Sequence, residues 1–324
     1  SSVHRADFLD AIVANLPEGI AHFGKRCIDV KQDADSATAS FDDGTHFTGD
    51  VIIGFDGIKS AVRPHVLPPE QYGEITPFWS GTYAYRGMIP TRDLEAALKA
   101  KGSERRLALV PQMYLGKDRH ILTFPVKQSQ LVNVVAFITD RSIPNPKLPE
   151  GEEWVQAVNQ EEMLEVFEGW SPACQAILEC ISEPTRWALH ELPELARYQR
   201  DRVLIVGDAA HALVPHQGAG AGQALEDAYV LATLLADASC RSNNVSTVLS
   251  AFEQVRHSRT CKVQRTSHEA GDVYEYAGEG IGDDEAELIN NLESRFEWLW
   301  NHDPHDDVIA AKNSLKFEAS ENWG

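Results

Sequence analysis

A chain of 324 residues, 43% hydrophobic and 24% charged, has the composition of a globular protein with room for one large or two ordinary cores. Its 29 basic and 49 acidic residues leave a net charge of −20, which repels phosphate backbones and anionic lipid heads and argues against nucleic-acid and membrane-surface roles. No apolar stretch approaches the ~20 residues of a membrane helix, and Ser1 to Asp7 lacks the layout of a secretory signal, so the expected location is cytoplasmic.

In chain order, His4 to Leu16 spaces Phe8, Ile12 and Leu16 as an amphipathic helix, with no strand before it. Ile28 to Phe47 alternates around a hairpin turn at Phe41 to Thr45, and Val51 to Ile53 is a short apolar run expected to be a strand buried on both faces. Four β-rich stretches follow: Thr82 to Ile89, Arg106 to Tyr114, His120 to Pro125 and Leu131 to Thr139. They predict a mostly antiparallel sheet. After the Pro-rich link Pro144 to Gly151, helical text runs from Glu152 to Glu179, with Met163, Phe167 and Leu178 among its core candidates.

Val203 to Val206 reads as another buried strand, and a long helix starts at Gly220 with Ala224, Leu225, Ala228, Leu231, Ala232 and Leu235 as its apolar face. Helices are also expected over Val245 to Val263 and Glu285 to Trp300. Five scattered cysteines without a Cys-x-x-Cys pair imply neither a disulfide framework nor a zinc ribbon. No metal site is expected: His211 and His216 flank Pro215 without a third ligand at suitable spacing, and His302 to Asp307 reads as a solvated acidic turn.

The chemistry concentrates after the strand ending at Val206. Gly207-Asp208 is followed by Pro215, Gln217, then Gly218-Ala219-Gly220-Ala221-Gly222 and a helix. Small residues at a strand-to-helix turn let backbone approach a ligand, and a helix N-terminus offers unpaired N–H groups to a phosphate or an electron-rich ring edge. Asp208 could accept from a sugar or ribityl hydroxyl. The same text also fits a glycine-rich turn capped by aspartate, and no Lys-Ser or Lys-Thr follows to make a Walker loop.

Gly207 to His211, Pro215, Gln217-Gly218 and Leu225 to Ala228 resemble the GD motif of class A FAD-dependent aromatic hydroxylases, the flavoprotein monooxygenases. Asp50 to Arg63 is similar to their DG motif, with Asp56, Gly57, Ser60, Val62 and Arg63 in place and Phe55 departing where a small residue is usual. Val3 to Leu9 is the third match; there Arg5 stands where the family's helix sends an arginine to the flavin. The matches span nearly the whole chain, and within the family the wording is similar to fungal salicylate-hydroxylase-like, phenol-modifying enzymes.

The resemblance implies an α/β fold: a Rossmann-like FAD/NAD(P)-binding domain over 1–75 and 185–265, an inserted mostly antiparallel substrate-binding sheet over 76–184, and C-terminal helices over 266–324. The family's opening strand with Gly-x-Gly-x-x-Gly is absent ahead of His4, so the sequence is expected to lack that N-terminal βαβ unit. Cofactor-binding residues are then Arg5, Asp56, Gly57, Gly207, Asp208, Pro215, Gly218, Ala219, Gly220, Ala221 and Gly222.

On the sheet text, His120, Leu122 and Phe124 share a face by alternation. A histidine there could deprotonate a phenol, because its ordinary pKa is near neutral. The same residue could equally be an exposed edge-strand histidine. The family often places a tyrosine where Phe124 stands, so a hydroxyl role is lost. Tyr83 and Tyr85 share one face while Arg86, a possible carboxylate anchor, points oppositely unless a bulge intervenes. With His216 these complete the expected substrate-binding set, and His120 is the expected catalytic base.

The family's chemistry implies that NAD(P)H reduces the flavin, O₂ adds at flavin C4a, and the hydroperoxide hydroxylates an activated phenol. Small aromatic substrate, O₂ and NAD(P)H are the expected partners, and the sequence sets no oligomeric state. The alternatives are a flavin-dependent reductase or dehydrogenase of the same superfamily, and a non-catalytic truncated fragment.

Overall fold

The computed structural model describes residues 5–68 and 75–321, with side chains for 8–68 and 75–316. The chain divides into two compact units. Unit one comprises Ser1–His22, Trp79–Leu189 and Asp272–Glu285; unit two comprises Phe23–Phe78, His190–Gly271 and Ala286–Gly324. Helix α1 (Arg5–Val13) belongs to the first.

Unit two begins with an antiparallel meander, β1 (Cys27–Gln32), β2 (Ala37–Phe41) and β3 (His46–Gly49). Asp43 closes the turn between β2 and β3, accepting from Lys25 and from the Thr45 backbone N–H. Next comes β4 (Ile52–Gly54), at the edge of its sheet, with Ile52 and Ile53 half-buried and only Gly54 fully covered. The expected strand is present, but its two-sided burial is not.

The chain then spends over a hundred residues in unit one before returning. A six-stranded sheet forms from β5 (Phe78–Pro90), β6 (Gln112–Gly116), β7 (Arg119–Val126), β8 (Leu131–Thr139), β9 (Val155–Ala157) and β10 (Thr185–Glu191), in the order β6-β7-β8-β5-β10-β9. Between them lie α2 (Thr91–Ala100), α3 (Gln160–Val166) and α4 (Pro172–Glu179).

Two expectations fail here for local reasons. Arg105–Ala108 is a 3₁₀ turn, so the strand expected from 106 starts only at Gln112. The helical text over 152–179 is broken into β9 and two short helices, each with its own start signal. Asn159 caps α3 by accepting from Glu162 N–H, and Ser171 caps α4 just before Pro172.

β5 pairs with β8 from Thr82↔Thr139 to Pro90↔Leu131 without a bulge, and β7 pairs with β8 with equal continuity. Alternation therefore assigns faces cleanly. Tyr85, Ile89, Ile121, Val134 and Ala136 face one way and pack with Leu94, Leu98, Met163, Phe167 and Ile177 of the helices in the unit's main core. Ala84, Val135 and Phe137 face the other way, joined by Leu122 and Leu189.

Back in unit two, β11 (Gln199–Arg200) turns into β12 (Val203–Ile205), which pairs in parallel with β4. Buried Arg202 staples this return, donating to the carbonyls of Ala34 and Asp50. The helices are α5 (Asp208–His211), α6 (Gly220–Leu235), α7 (Val245–Tyr274), α8 (Glu285–Ser294), α9 (Glu297–Trp300) and α10 (Pro304–Glu321).

The buried face of α6 is Gln223, Asp227, Val230, Leu231 and Leu234, while Leu225 is exposed; the helix turns polar groups inward for partners described below. α7 runs past the expected end at Val263. Residues 266–324 form no unit of their own, since Asp272–Glu285 belongs to unit one and Ala286–Gly324 to unit two. In the expected stripe of the C-terminal helices, Leu288 and Leu299 are buried but Trp300 is 70% exposed.

Candidate active site

The turn after β12 is shaped by one carboxylate. Gly207 takes φ +57° and ψ −144°, a conformation open to glycine, and a Cβ there would meet Ala224 Cβ at 3.3 Å. Its N–H donates to Asp227 Oδ2 at 3.0 Å, and the same oxygen accepts from His211 Nε2 at 2.7 Å. Asp227 Oδ1 accepts from Arg256 Nε at 2.9 Å. Burial pushes the Asp227 carboxyl up, but His211 and Arg256 more than reverse this and hold it below its ordinary value. Asp208, exposed, heads α5 at the C-terminal end of β12.

After Pro215–Gln217, Gly218 adopts the left-handed conformation at φ +63° and α6 begins. No side chain caps α6, and no acidic residue occupies its first turn. A Cβ built at Gly218, Gly220 or Gly222 meets nothing within 4 Å, so this end of the helix opens onto space. His216 packs against the backbone of Gly271, where a Cβ would stand 2.6 Å from the ring.

The turn after β4 is braced from within and then tied to the one after β12. Asp56 accepts from Ser60 Oγ at 2.6 Å and from the backbone N–H groups of Ala61 and Val62. Buried Arg63 donates to the Ile58 carbonyl and, at 3.0 Å, to the carbonyl of Ala209 inside α5. Gly57 has φ +78°.

In unit one, the sheet face opposite α2, α3 and α4 carries paired rows. His120 sits opposite Phe137, which sits opposite Ala84; Leu122, Val135 and Arg86 form the next row; Phe124, Asn133 and Met88 the third. The Arg86 guanidinium lies 4.9 Å over the Trp187 ring. His120 is only 1% exposed, stacks on Phe137 at 4.2 Å, and its Nδ1 lies 2.8 Å from Glu275 Oε1. Burial pushes its pKa down, against the pull of Glu275, so the imidazole is neutral near neutral pH.

The residues of 14–267 match the FAD-binding domain family. A salicylate hydroxylase of Pseudomonas putida is 52% identical over 98% of this chain and 73% of its own length, and a second one from that organism is 50% identical over 99% and 74%. A solved salicylate hydroxylase substrate complex superposes with TM-score 0.92 at 44% identity, over 95% of this chain and 75% of that one.

The chain belongs to the FAD-dependent monooxygenases of the salicylate hydroxylase kind. The bacterial relatives exceed the fungal ones expected from the wording of the motifs: 6-methylsalicylate 1-monooxygenase of Aspergillus terreus is 36% identical over 93% of this chain and 66% of its own length.

FAD fits the turns of this monooxygenase chain. The uncapped start of α6 and the open glycine edge beside it can take an electron-rich ring edge, and exposed Asp208 can accept from ribityl hydroxyls. Gly207, Asp208, Pro215, Gly218, Ala219, Gly220, Ala221 and Gly222 thus fall on one segment that alternates between buried and exposed residues, with Asp56 and Gly57 on the turn that Arg63 ties to it. Asp56 contributes by closing its own turn. Arg5 lies in α1, but its side chain is outside the described residues.

The expected substrate residues do not form one cluster. His120, Phe124 and Arg86 share the sheet face opposite α2, α3 and α4, and His120 lies buried on the second strand from the edge, not on an exposed rim. Tyr83 and Tyr85 lie on the opposite, helix-covered face. The Tyr83 hydroxyl donates to Glu152 and the Tyr85 hydroxyl to Glu162, and Arg186 bridges both carboxylates. Burial, then Glu152, pushes the Tyr83 phenol up to about 12. Their hydroxyls are committed to that network, which removes them from the group around His120. His216 belongs to unit two.

Glu275, Arg141 and Arg256 were not singled out by the sequence, and Asp227 entered only as part of the GD-like run Leu225 to Ala228. Glu275, Arg141 and Arg256 are defined by partners 29 to 155 positions away, a separation that no motif encodes. The His302–Asp307 turn is not merely solvated: Asp307 is 9% exposed and accepts from His302 and Arg256. Among the described residues no group of His, Cys, Asp and Glu could hold a metal, and no helix is long and apolar enough to cross a membrane.

Proposed function

We propose that this chain hydroxylates a phenolic, salicylate-like ring, with NAD(P)H and O₂ as co-substrates. The observation that carries the reading is His120, a buried neutral imidazole on the sheet face opposite α2, α3 and α4, the same face that carries Phe124 and Arg86. FAD, when bound, supplies the redox and oxygen-transfer chemistry. The chain's residues place the ring and its proton. Leu122, Val135 and Phe124 give an apolar bed, Arg86 offers a cation to a ring carboxylate, and His120 accepts the phenol proton, which raises the ring's nucleophilicity. The start of α6, which no side chain caps, would stabilise negative charge on a bound flavin.

The test is to load the protein with FAD, supply NAD(P)H and a panel of salicylates and phenols, and follow oxygen uptake with product mass spectrometry. A hydroxylated product from a salicylate-like ring is expected. His120→Ala should lower kcat by roughly 10²- to 10⁴-fold while leaving the FAD affinity within about twofold. NAD(P)H oxidation with no oxygenated product from any phenol would replace this reading with that of a flavin-dependent reductase.

A further inference from the structure

His120 is one end of a buried chain of charges. Glu275 has a fully covered side chain, with Oε1 at 2.8 Å from His120 Nδ1 and Oε2 accepting from Arg141 Nη1 at 2.6 Å. Arg141 is 26% exposed and continues to Asp272 at 2.8 Å and Asp118 at 3.2 Å, so the chain reaches solvent at that end. The segment is held to the sheet by backbone as well: Asp118 N–H donates to the Glu275 carbonyl, and Tyr276 Oη donates to the Leu115 carbonyl. Phe137 and Tyr274 cover the imidazole, at 4.2 Å and 5.3 Å between ring centres.

These contacts fix a protonation pattern. Burial alone would push the Glu275 carboxyl up, but His120, Thr139 and Arg141 draw it down to about 2, so it is ionised at neutral pH. An ionised carboxylate can only accept, so His120 Nδ1 carries the hydrogen. A neutral imidazole has one hydrogen, and Nε2 is therefore the basic nitrogen.

We propose that Glu275 is the positioning residue that makes His120 a base at Nε2, and that Arg141 moderates its strength. The inference rests on the reading of His120 as the phenol's proton acceptor. In the step it serves, the phenol O–H bond breaks, its electron pair stays on oxygen, and an N–H bond forms at Nε2. The resulting imidazolium is balanced by the Glu275 carboxylate. The groups that set the field at His120 are Glu275 and Tyr274 directly, and Arg141, Asp118 and Asp272 through Glu275.

The test uses FAD-loaded enzyme and p-nitrophenol, whose phenol and phenolate forms differ in absorbance, titrated with pH while bound. Glu275→Gln removes the charge at nearly constant volume and should raise the apparent ionisation of the bound probe by about one to two pH units. Glu275→Asp should recover part of this. Arg141→Met strengthens the unbalanced carboxylate and should shift the ionisation the other way, downward. A purely structural role would not produce shifts of opposite sign.

If Glu275→Gln binds the probe with wild-type ionisation while His120→Gln does not, the Glu275 inference is overturned and the base reading stands. Wild-type ionisation in His120→Gln overturns the base reading itself. Should Glu275→Gln fail to bind FAD or melt early, Arg141→Met decides alone: a downward shift supports the relay, and no shift or an upward one rejects it.

Discussion

Arg256 is a fully buried guanidinium that holds four acceptor side chains at once. It donates to Asp227, Glu226 and Asp307 and to the side chain of Gln223, at distances of 2.7 to 3.0 Å. Coulombic attraction to these carboxylates outweighs the cost of burial and raises its pKa above the ordinary value. Removing one partner of such a group leaves the others charged and dry, which costs about 3–5 kcal/mol. Arg256→Met should therefore lower unfolding free energy by that amount in urea melts. Arg256→Lys should rescue only part, because an ammonium cannot reproduce the planar fork.

Asp227→Ala should in addition weaken FAD binding, since Gly207 N–H loses the acceptor that orients the turn. A melt and a flavin-fluorescence titration on the same samples separate the two effects. The Gly207-Asp208 turn was legible in the sequence because small residues and a carboxylate sit next to each other there. Asp227 was legible only as part of the GD-like run Leu225 to Ala228; its role as the acceptor that shapes the turn was not, since a polar residue on an inward helix face has that meaning only once Arg256 arrives from another helix.

At the scale of elements, strand alternation read correctly that Tyr83 and Tyr85 face away from Arg86, and the bulge-free pairing of β5 with β8 is why. Which face receives helices was not legible. Both faces of β5 carry apolar groups, and the choice depends on α3 and α4, whose start signals at Asn159 and Ser171 lay inside a stretch read as one helix. The close seat of the α4 end on the sheet is visible at Gly87, where an added Cβ would come 2.3 Å from Ile181 Cγ2. Gly87→Ala should destabilise by about 1–3 kcal/mol through overpacking. Combined with Ile181→Ala, it should cost less than the sum of the two changes, and a double-mutant cycle by urea melting measures that coupling. Strict additivity would mean that Ile181 does not press on β5.

For the whole molecule, the buried ion pairs predict an asymmetric response to pH. Burial depresses the His120 pKa below its ordinary 6.5, so the folded state binds fewer protons there than the unfolded chain; stability is complete above that value and declines as pH falls below it. Glu275 follows, at about 2 in the folded protein against an ordinary 4.5, a difference on the order of 3 kcal/mol that is lost between those two values as pH falls. Asp227 and Glu226, also depressed, add to the same limb. Tyr83 works at the other end. Its phenol at about 12 favours the folded state below the ordinary 10.0, and this contribution disappears as pH rises through that interval.

Acidification also relieves the self-repulsion of a chain carrying −20, which opposes the loss but is spread over the surface and screened by salt. The expected melting curve is thus flat from about pH 7 to 9, falls in acid, and falls more steeply in high salt, where relief of repulsion no longer compensates. Glu275→Gln should be less stable on the plateau yet lose less between pH 4.5 and about 2, because it has removed a carboxylate whose protonation drives that part of the fall. Parallel acid limbs for the variant and the wild type, followed by scanning calorimetry, would show that the His120–Glu275–Arg141 chain is not what couples this fold to pH.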